Sequence, residues 1–287
     1  MWIRRAVQHV SLILATLLVG GLLGATLVRM APGFGVDPQE LDTRLSEASL
    51  RALRDSHAAE RNVLRFYASY LAGMLRGDLG ISYSLGRPVR DLLAQRIPTT
   101  FRAVAMGLAG GWLVALALAL PAVLSRRRAC DRLALTLSGT LLCLPSAVVA
   151  LLFLLLGGPV PLALAVVVFP RVFRYSRNLL LEAATLPHVL AARAKGLGGL
   201  RILARHIWPA AAPQLLALAG VSVNLAFGAA IPIEVVCDSP GVGQLAWQAA
   251  LARDLPLLVN LTVLVALVTQ AANCAADLAA TASRNPR

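Results

Sequence analysis

Five long stretches of this chain carry no charged side chain, and no other feature narrows the possible folds as far. A helix rises about 1.5 Å per residue and the hydrocarbon layer of a bilayer is about 30 Å thick, so about 20 uncharged residues make one crossing. Val7–Val28, Ala103–Leu124, Ile207–Ile233 and Leu255–Ala276 each reach that length. The fifth stretch, Leu133–Pro170, is too long for one crossing and is interrupted at Gly157–Pro161, GGPVP. Glycine and proline there supply a turn, which makes two spans. The second of the pair has a short apolar run before Arg171, Arg174 and Arg177. A charge at mid-bilayer is costly, so these arginines must lie near the inner surface or face protein or water; a re-entrant hairpin is the alternative.

The expected fold is therefore an all-α integral membrane protein with six transmembrane helices. Composition agrees: 14% of the residues are charged, against about 25% in a soluble domain. The net charge of +13 comes from arginines set between apolar runs, without an aromatic-rich nucleic-acid motif, so no nucleic-acid partner is expected. Arg4 and Arg5, Arg126–Arg128 and Arg132, Arg171 through Arg205, and Arg284 and Arg287 all fall on one side of a six-span chain. By the positive-inside rule that side is cytoplasmic, with both termini on it. The first apolar run is longer than the roughly 7–15 residues of a cleavable signal core, so it reads as a retained span.

The expected organisation is an N-terminal span over residues 1–29, an extracytoplasmic helical segment over 30–97, and a membrane core over 98–287. The core spans fall at about 103–124, 133–156, 160–181, 207–233 and 255–276, with a cytoplasmic loop at 186–209. The four cysteines, Cys130, Cys143, Cys237 and Cys274, lack the close spacing of a metal site, and no metal is expected.

The cytoplasmic loop holds HVLAARAKGLGGLRILARHIWP, residues 188–209, with the only lysine of the chain. Pro187 and Pro209 frame it and Gly196, Gly198 and Gly199 weaken helix in its middle, so two short helices joined at a bend are expected. Ala191, Ala192 and Ala194 leave the first helix smooth, while Arg193, Lys195, Arg201 and Arg205 give it a cationic rim suited to an acidic partner. On residue types alone, an ordinary positive-inside loop fits equally well.

Leu190–Leu197, LAARAKGL, with Pro209 at its distance, resembles the EAA loop of ABC importer permeases. With Arg205, His206 and Pro209 added, it is similar to the branch that transports dipeptides, oligopeptides or nickel. Tyr70–Thr100, with Gly77-Asp78-Leu79-Gly80, Arg87-Pro88-Val89 and Pro98-Thr99, and Ala31–Gly33 extend the resemblance. So does Glu234–Pro256, in which Glu234, Pro240, Gly241, Gly243, Asp254 and Pro256 stand at the family's positions for an outer gate loop. The chain departs from the pattern at Cys237, where phenylalanine is usual, at Asn285, where aspartate is usual, and in a short connection between spans three and four.

The resemblance implies a pore-forming transport subunit rather than an enzyme, in the inner membrane. Its implied partners are a second homologous permease chain in a heterodimer, one or two ATP-binding subunits, an extracytoplasmic solute-binding protein and the lipid bilayer. Ala191, Ala192, Arg193, Ala194, Lys195, Gly196, Leu197, His206 and Pro209 would form the ATPase-coupling loop. The substrate implied is a di- or oligopeptide, with nickel or another small solute as the alternative. No cofactor is expected on this chain. A P-loop needs lysine followed by serine or threonine, and Lys195 precedes glycine, so ATP and magnesium belong to a separate subunit.

Ser222, Asn224, Thr262 and Asn273, with Thr269 and Gln270, are polar residues inside the last two spans. They are candidates for the solute pathway or for hydrogen bonds between helices. Glu234 would orient the outer loop or meet a peptide's amino end. His206 reads as a contact within the loop. A secondary carrier would show carboxylates in mid-span, and an intramembrane protease a catalytic set there, and neither pattern is present in the clean spans.

Overall fold

The computed structural model describes residues 77–124 and 128–283, together with residues 11, 26 and 73. The first expected span and most of the 30–97 segment lie outside the described residues. Nine α-helices follow in order among those described. They are α1 (Val89–Leu124), α2 (Arg128–Leu142), α3 (Ser146–Leu155), α4 (Val160–Ala183), α5 (Pro187–Ala194), α6 (Gly199–Ile202), α7 (Trp208–Val236), α8 (Val242–Leu251) and α9 (Leu255–Ser283). A π-helical turn, Leu203–Ile207, joins α6 to α7, and the described residues contain no strand beyond one isolated bridge, Ile81 to Pro88.

Among the described residues, three helices are long and apolar enough to cross a membrane: Val89–Leu124, Gly199–Val236 and Leu255–Thr281. The third expected span, 133–156, is not one straight helix. Its two halves, α2 and α3, are bent by 99° at a short break. Proline explains the break, because Pro145 has no N–H to continue the ladder of α2 and its ring disfavours helix at Leu144. Pro145 instead stands in extended geometry (φ −59°, ψ 145°) as the N-cap of α3. The first turn of α1 also begins at Val89, before the expected start of the core at 98.

The turn after α3 falls at the expected glycines. Gly157 adopts φ +65°, its N–H donates to Leu154 O, and the N–H of Gly158 donates to Phe153 O. These are the two bonds of a Schellman stop, which needs a left-handed residue at this place. Pro159 then caps α4 with a proline in its first turn, where a missing N–H costs nothing.

Contacts divide the chain into two units, Met1–Gln95 with Leu245–Leu267, and Arg96–Gln244 with Val268–Arg287. In the second unit α4 is the central element, packed against α2 and α7. Leu164, Val168, Val172, Phe173 and Leu180 are all buried on it. Arg177 forms a two-pronged ion pair with Asp131 of α2, Nε to Oδ1 at 2.6 Å and Nη2 to Oδ2 at 2.5 Å. Pairing removes the main penalty for holding that guanidinium among apolar helices.

Helix α1 meets α4 through two glycines one turn apart. A Cβ on Gly107 would lie 2.6 Å from Leu164 Cβ, and one on Gly111 would lie 3.1 Å from Val168 Cγ1. Small residues four apart allow backbones to approach in this way. Gly107→Leu is therefore expected to destabilise the protein by at least the 1–3 kcal/mol typical of overpacking, read as a lower Tm in detergent. Gly228→Ala, where a Cβ meets nothing within 4 Å, should leave Tm unchanged or slightly raised.

Candidate functional site

The loop 186–209 is an ordered helix, stop and restart. Pro187 occupies the first turn of α5, and Val189 and Ala192, three apart, are buried at 0% and 4% exposure. That leaves Leu190, Ala191, Arg193, Ala194 and Lys195 exposed on the rest of the helix. The bend is set by backbone geometry. Gly196 takes φ +76°, its N–H donates to Arg193 O, and the N–H of Leu197 donates to Ala192 O. This is a complete Schellman stop, and the left-handed position it requires is held by glycine at no steric cost. A Cβ on Gly196 would touch nothing within 4 Å, so the requirement is conformational rather than spatial.

The second arm differs from the expected short, separate helix. Helix α6 runs through the π turn 203–207 straight into α7, and Gly199–Val236 is one apolar helical element. Pro209 does not end it: the wider π turn Leu203–Ile207 comes just before the proline, and helix continues through Pro209 without a break. The bend after α5 is thus joined rigidly to a membrane span. His188 and His206 lie with ring centroids 6.2 Å apart, one from each arm. Among the described residues no cluster of His, Cys, Asp and Glu could hold a metal ion. Of the coupling residues chosen from sequence, Ala192 points into the core and Leu197 is half-buried, while Pro209 is exposed and His206 half-buried.

At the other end of α7 the turn that follows closes over a carboxylate. Glu234 is fully buried. Its Oε1 accepts the Thr100 hydroxyl at 2.7 Å and its Oε2 accepts the Gly243 N–H at 2.7 Å. Thr100 Oγ1 in turn accepts the Val242 N–H at 2.7 Å. Two N–H groups that open α8, which an isolated helix leaves unpaired, are thereby satisfied, and a negative charge sits where the helix dipole favours it. A Cβ on Gly241 would run into the Glu234 carboxylate, and one on Gly243 would lie 2.6 Å from Ile231 Cα. These two glycines are there because the carboxylate and the backbone of α7 leave no room. Asp238, at φ +48°, and Arg96 both bond the Gln244 side chain, whereas Pro240 is exposed at the tip. Burial pushes the thiol pKa of neighbouring Cys237 up.

Asp254 does similar work in the other unit. It caps α9, its Oδ1 accepting the Leu257 N–H at 3.1 Å, and its Oδ2 accepts the Ser82 hydroxyl at 2.5 Å, the Ser84 N–H at 3.0 Å and the Ser84 hydroxyl at 2.8 Å. Asn260 adds bonds from Nδ2 to Leu79 O at 2.9 Å and Pro256 O at 2.8 Å. The hairpin 77–88 is therefore tied to the start of α9. Thr100, Ser82, Ser84 and Asn260 were not singled out from the sequence. Thr100 and the two serines sit in strings that carry the family resemblance, but nothing in their spacing tells which distant carboxylate they meet.

The pathway candidates separate. Ser222 is buried, accepts the Trp112 Nε1–H at 3.0 Å and donates to Ala219 O, which joins α1 to α7. Asn224 Nδ2 donates to Asn273 Oδ1 at 3.3 Å, which joins α7 to α9. Gly220 lies against Ala276, where an added Cβ would come within 2.7 Å. Thr262 is exposed, with its hydroxyl returned to Leu258 O.

Residues 107–284 match the family described as binding-protein-dependent transport system inner membrane component. The chain is 24% identical to the oligopeptide transport system permease protein AppB of Bacillus subtilis, over 96% of this chain and 95% of that one. It is 28% identical to the oligopeptide transport system permease protein OppB of Escherichia coli K12, over 83% of this chain and 84% of that one.

Proposed function

The chain belongs to the family of binding-protein-dependent transport system inner membrane components, and on that premise we propose that it is a pore-forming subunit of an ATP-driven peptide importer. The observation that carries the proposal is the exposed face of α5, with Leu190, Ala191 and Ala194 beside Arg193 and Lys195, ended by a Schellman stop that leads directly into a membrane span. Such a face offers a partner a low apolar ridge with a cationic edge, and the partner is an ATP-binding subunit. Closure of two ATP-binding subunits would draw the α5 helices of two permease chains together. Because α6, the π turn and α7 are one continuous element, that displacement is passed to a span rather than absorbed in a loop.

Six spans with both termini cytoplasmic, a heterodimer with a second permease chain and an extracytoplasmic solute-binding protein complete this reading. The names of the relatives support peptides as the solute. Glu234, fully enclosed by its own turn, is assigned to holding the outer loop rather than to meeting a peptide. The test is a single cysteine at Ala194 in a chain otherwise free of cysteine, within the assembled transporter. A short bifunctional crosslinker should capture the ATP-binding chain there, with less product when ATP is bound and hydrolysis is blocked. An importer fully active without any ATP-binding chain would overturn the proposal.

A further inference from the structure

The π turn between α6 and α7 carries one residue more than a regular helix needs there. The Trp208 N–H donates to Leu203 O, five residues back rather than four. The buried positions follow the same count. Ile207, Ala211 and Leu215 are buried at intervals of four, the repeat along one face of an α-helix, whereas Ile202 precedes Ile207 by five. Each residue of an α-helix turns by about 100°, so a spacing of five in plain α-helix would carry Ile202 well round from that face. The wide turn absorbs the additional residue, and Ile202 keeps to 4% exposure.

Proline does not account for the wide turn. A proline ring crowds the carbonyl four residues before it, yet Pro98, Pro121, Pro170, Pro213 and Pro232 all lie inside α-helices without a π turn. Packing does not account for it either. A chain one residue shorter would bring Ile202 onto the same face with ordinary α-helical bonds, whose geometry is the better one. The turn is also lightly held, because Ala204 and Arg205 are exposed, Leu203 and His206 are half-buried, and Pro209 has no N–H to offer the preceding turn. What the surplus residue adds is a second way to wind the same segment.

We propose that the π turn Leu203–Ile207 is a two-setting joint between the coupling arm and its span, the second setting being closure of the turn to α-helix. This deepens the coupling role proposed for α5 and rests on it. Closure releases the surplus residue into the helix, which lengthens the element by about 1.5 Å and turns α6, with α5 attached, by about 100° around the axis of α7. Ile202 then leaves the buried face while Ile207 keeps its place. Helix is unbroken and stiff in both settings, so a pull on α5 reaches the span as one defined step instead of a gradual bend. The ATP-binding partner, holding the exposed face of α5, supplies that pull.

The test uses the assembled transporter in proteoliposomes, with Cys130, Cys143, Cys237 and Cys274 replaced by serine and one cysteine added. Ile202→Cys should react with a water-soluble maleimide about tenfold faster when ATP is bound and hydrolysis is blocked than without nucleotide. Ile207→Cys should stay slow in both states. Deletion of Ala204 leaves an ordinary α-helix with Ile202 still on the buried face. Uptake should then be lost while ATP hydrolysis continues, and Ile202→Cys should be protected in both states. An alanine inserted after Arg205 in the shortened chain returns the spacing of five and should return uptake. An Ile202→Cys thiol equally slow in both states, or one that gains reactivity together with Ile207→Cys, would overturn the joint even where the deletion prevents assembly. Full uptake by the shortened chain would overturn the joint and leave the coupling role standing, whereas uptake by the parent without an ATP-binding chain removes the coupling role itself.

Discussion

Glu234→Ala is expected to produce a large loss of stability. The carboxylate accepts the Thr100 hydroxyl and the Gly243 N–H, and none of the three residues has more than 1% exposure except Gly243, itself buried. Alanine leaves both donors without an acceptor, at about 1–3 kcal/mol for each, and opens a cavity besides. At about 2–4 °C per kcal/mol for a chain of this size, Tm should fall by roughly 5–20 °C. Glu234→Gln keeps one oxygen for Gly243 and can donate to Thr100, so it should fall much less. Gly241→Ala should resemble Glu234→Ala, because its methyl would occupy the place of the carboxylate. Thermal melting of the three variants in detergent checks the ordering. A Glu234→Ala protein as stable as the parent would show that the turn after α7 does not depend on this carboxylate.

Gly196→Trp should leave the protein in the membrane and abolish uptake while ATP hydrolysis by the complex continues. Two effects combine. Any residue but glycine is strained at φ +76°, by about 1 kcal/mol, which loosens the stop between α5 and α6. The indole also adds bulk at the exposed end of α5, which carries the face assigned to the ATP-binding partner. Gly196→Ala isolates the first effect and should reduce uptake only partly. Gly198→Ala is the control. Gly198 has φ −64° and no atom within 4 Å of an added Cβ, so alanine there should transport normally. Transport and ATPase rates measured together in proteoliposomes decide the matter, and normal uptake by the tryptophan variant would refute the coupling role.

Stretches of chain whose structure follows from local chemistry were legible in advance. The helices of the uncharged runs from Ala103 onward, the Gly157 turn and the bend at Gly196 depend on hydrophobic length and on the conformations that glycine and proline allow, and these are properties of a residue and its immediate neighbours. Even so, Pro145 sits inside an apolar run that reads as one straight span, and the span expected at 133–156 is bent by 99°. Pro209 is no boundary, since helix continues from Gly199 into α7. Proline alone does not say where a helix stops, since Pro121, Pro170 and Pro232 lie inside continuous helices while Pro145 stands at a break.

The amino-acid order alone determined that this chain is an all-helical membrane component with a basic, glycine-bent segment, because bilayer thickness and backbone sterics act on consecutive residues. Only the tertiary structure decided what the isolated polar residues do. It paired Arg177 with Asp131 and left Arg171 and Arg174 exposed, it enclosed Glu234 with Thr100, and it tied Ser82 and Ser84 to Asp254. Hydrogen bonds and ion pairs act over about 3 Å in space, and residues separated by 46, 134 or 172 positions reach that distance only once the helices have packed.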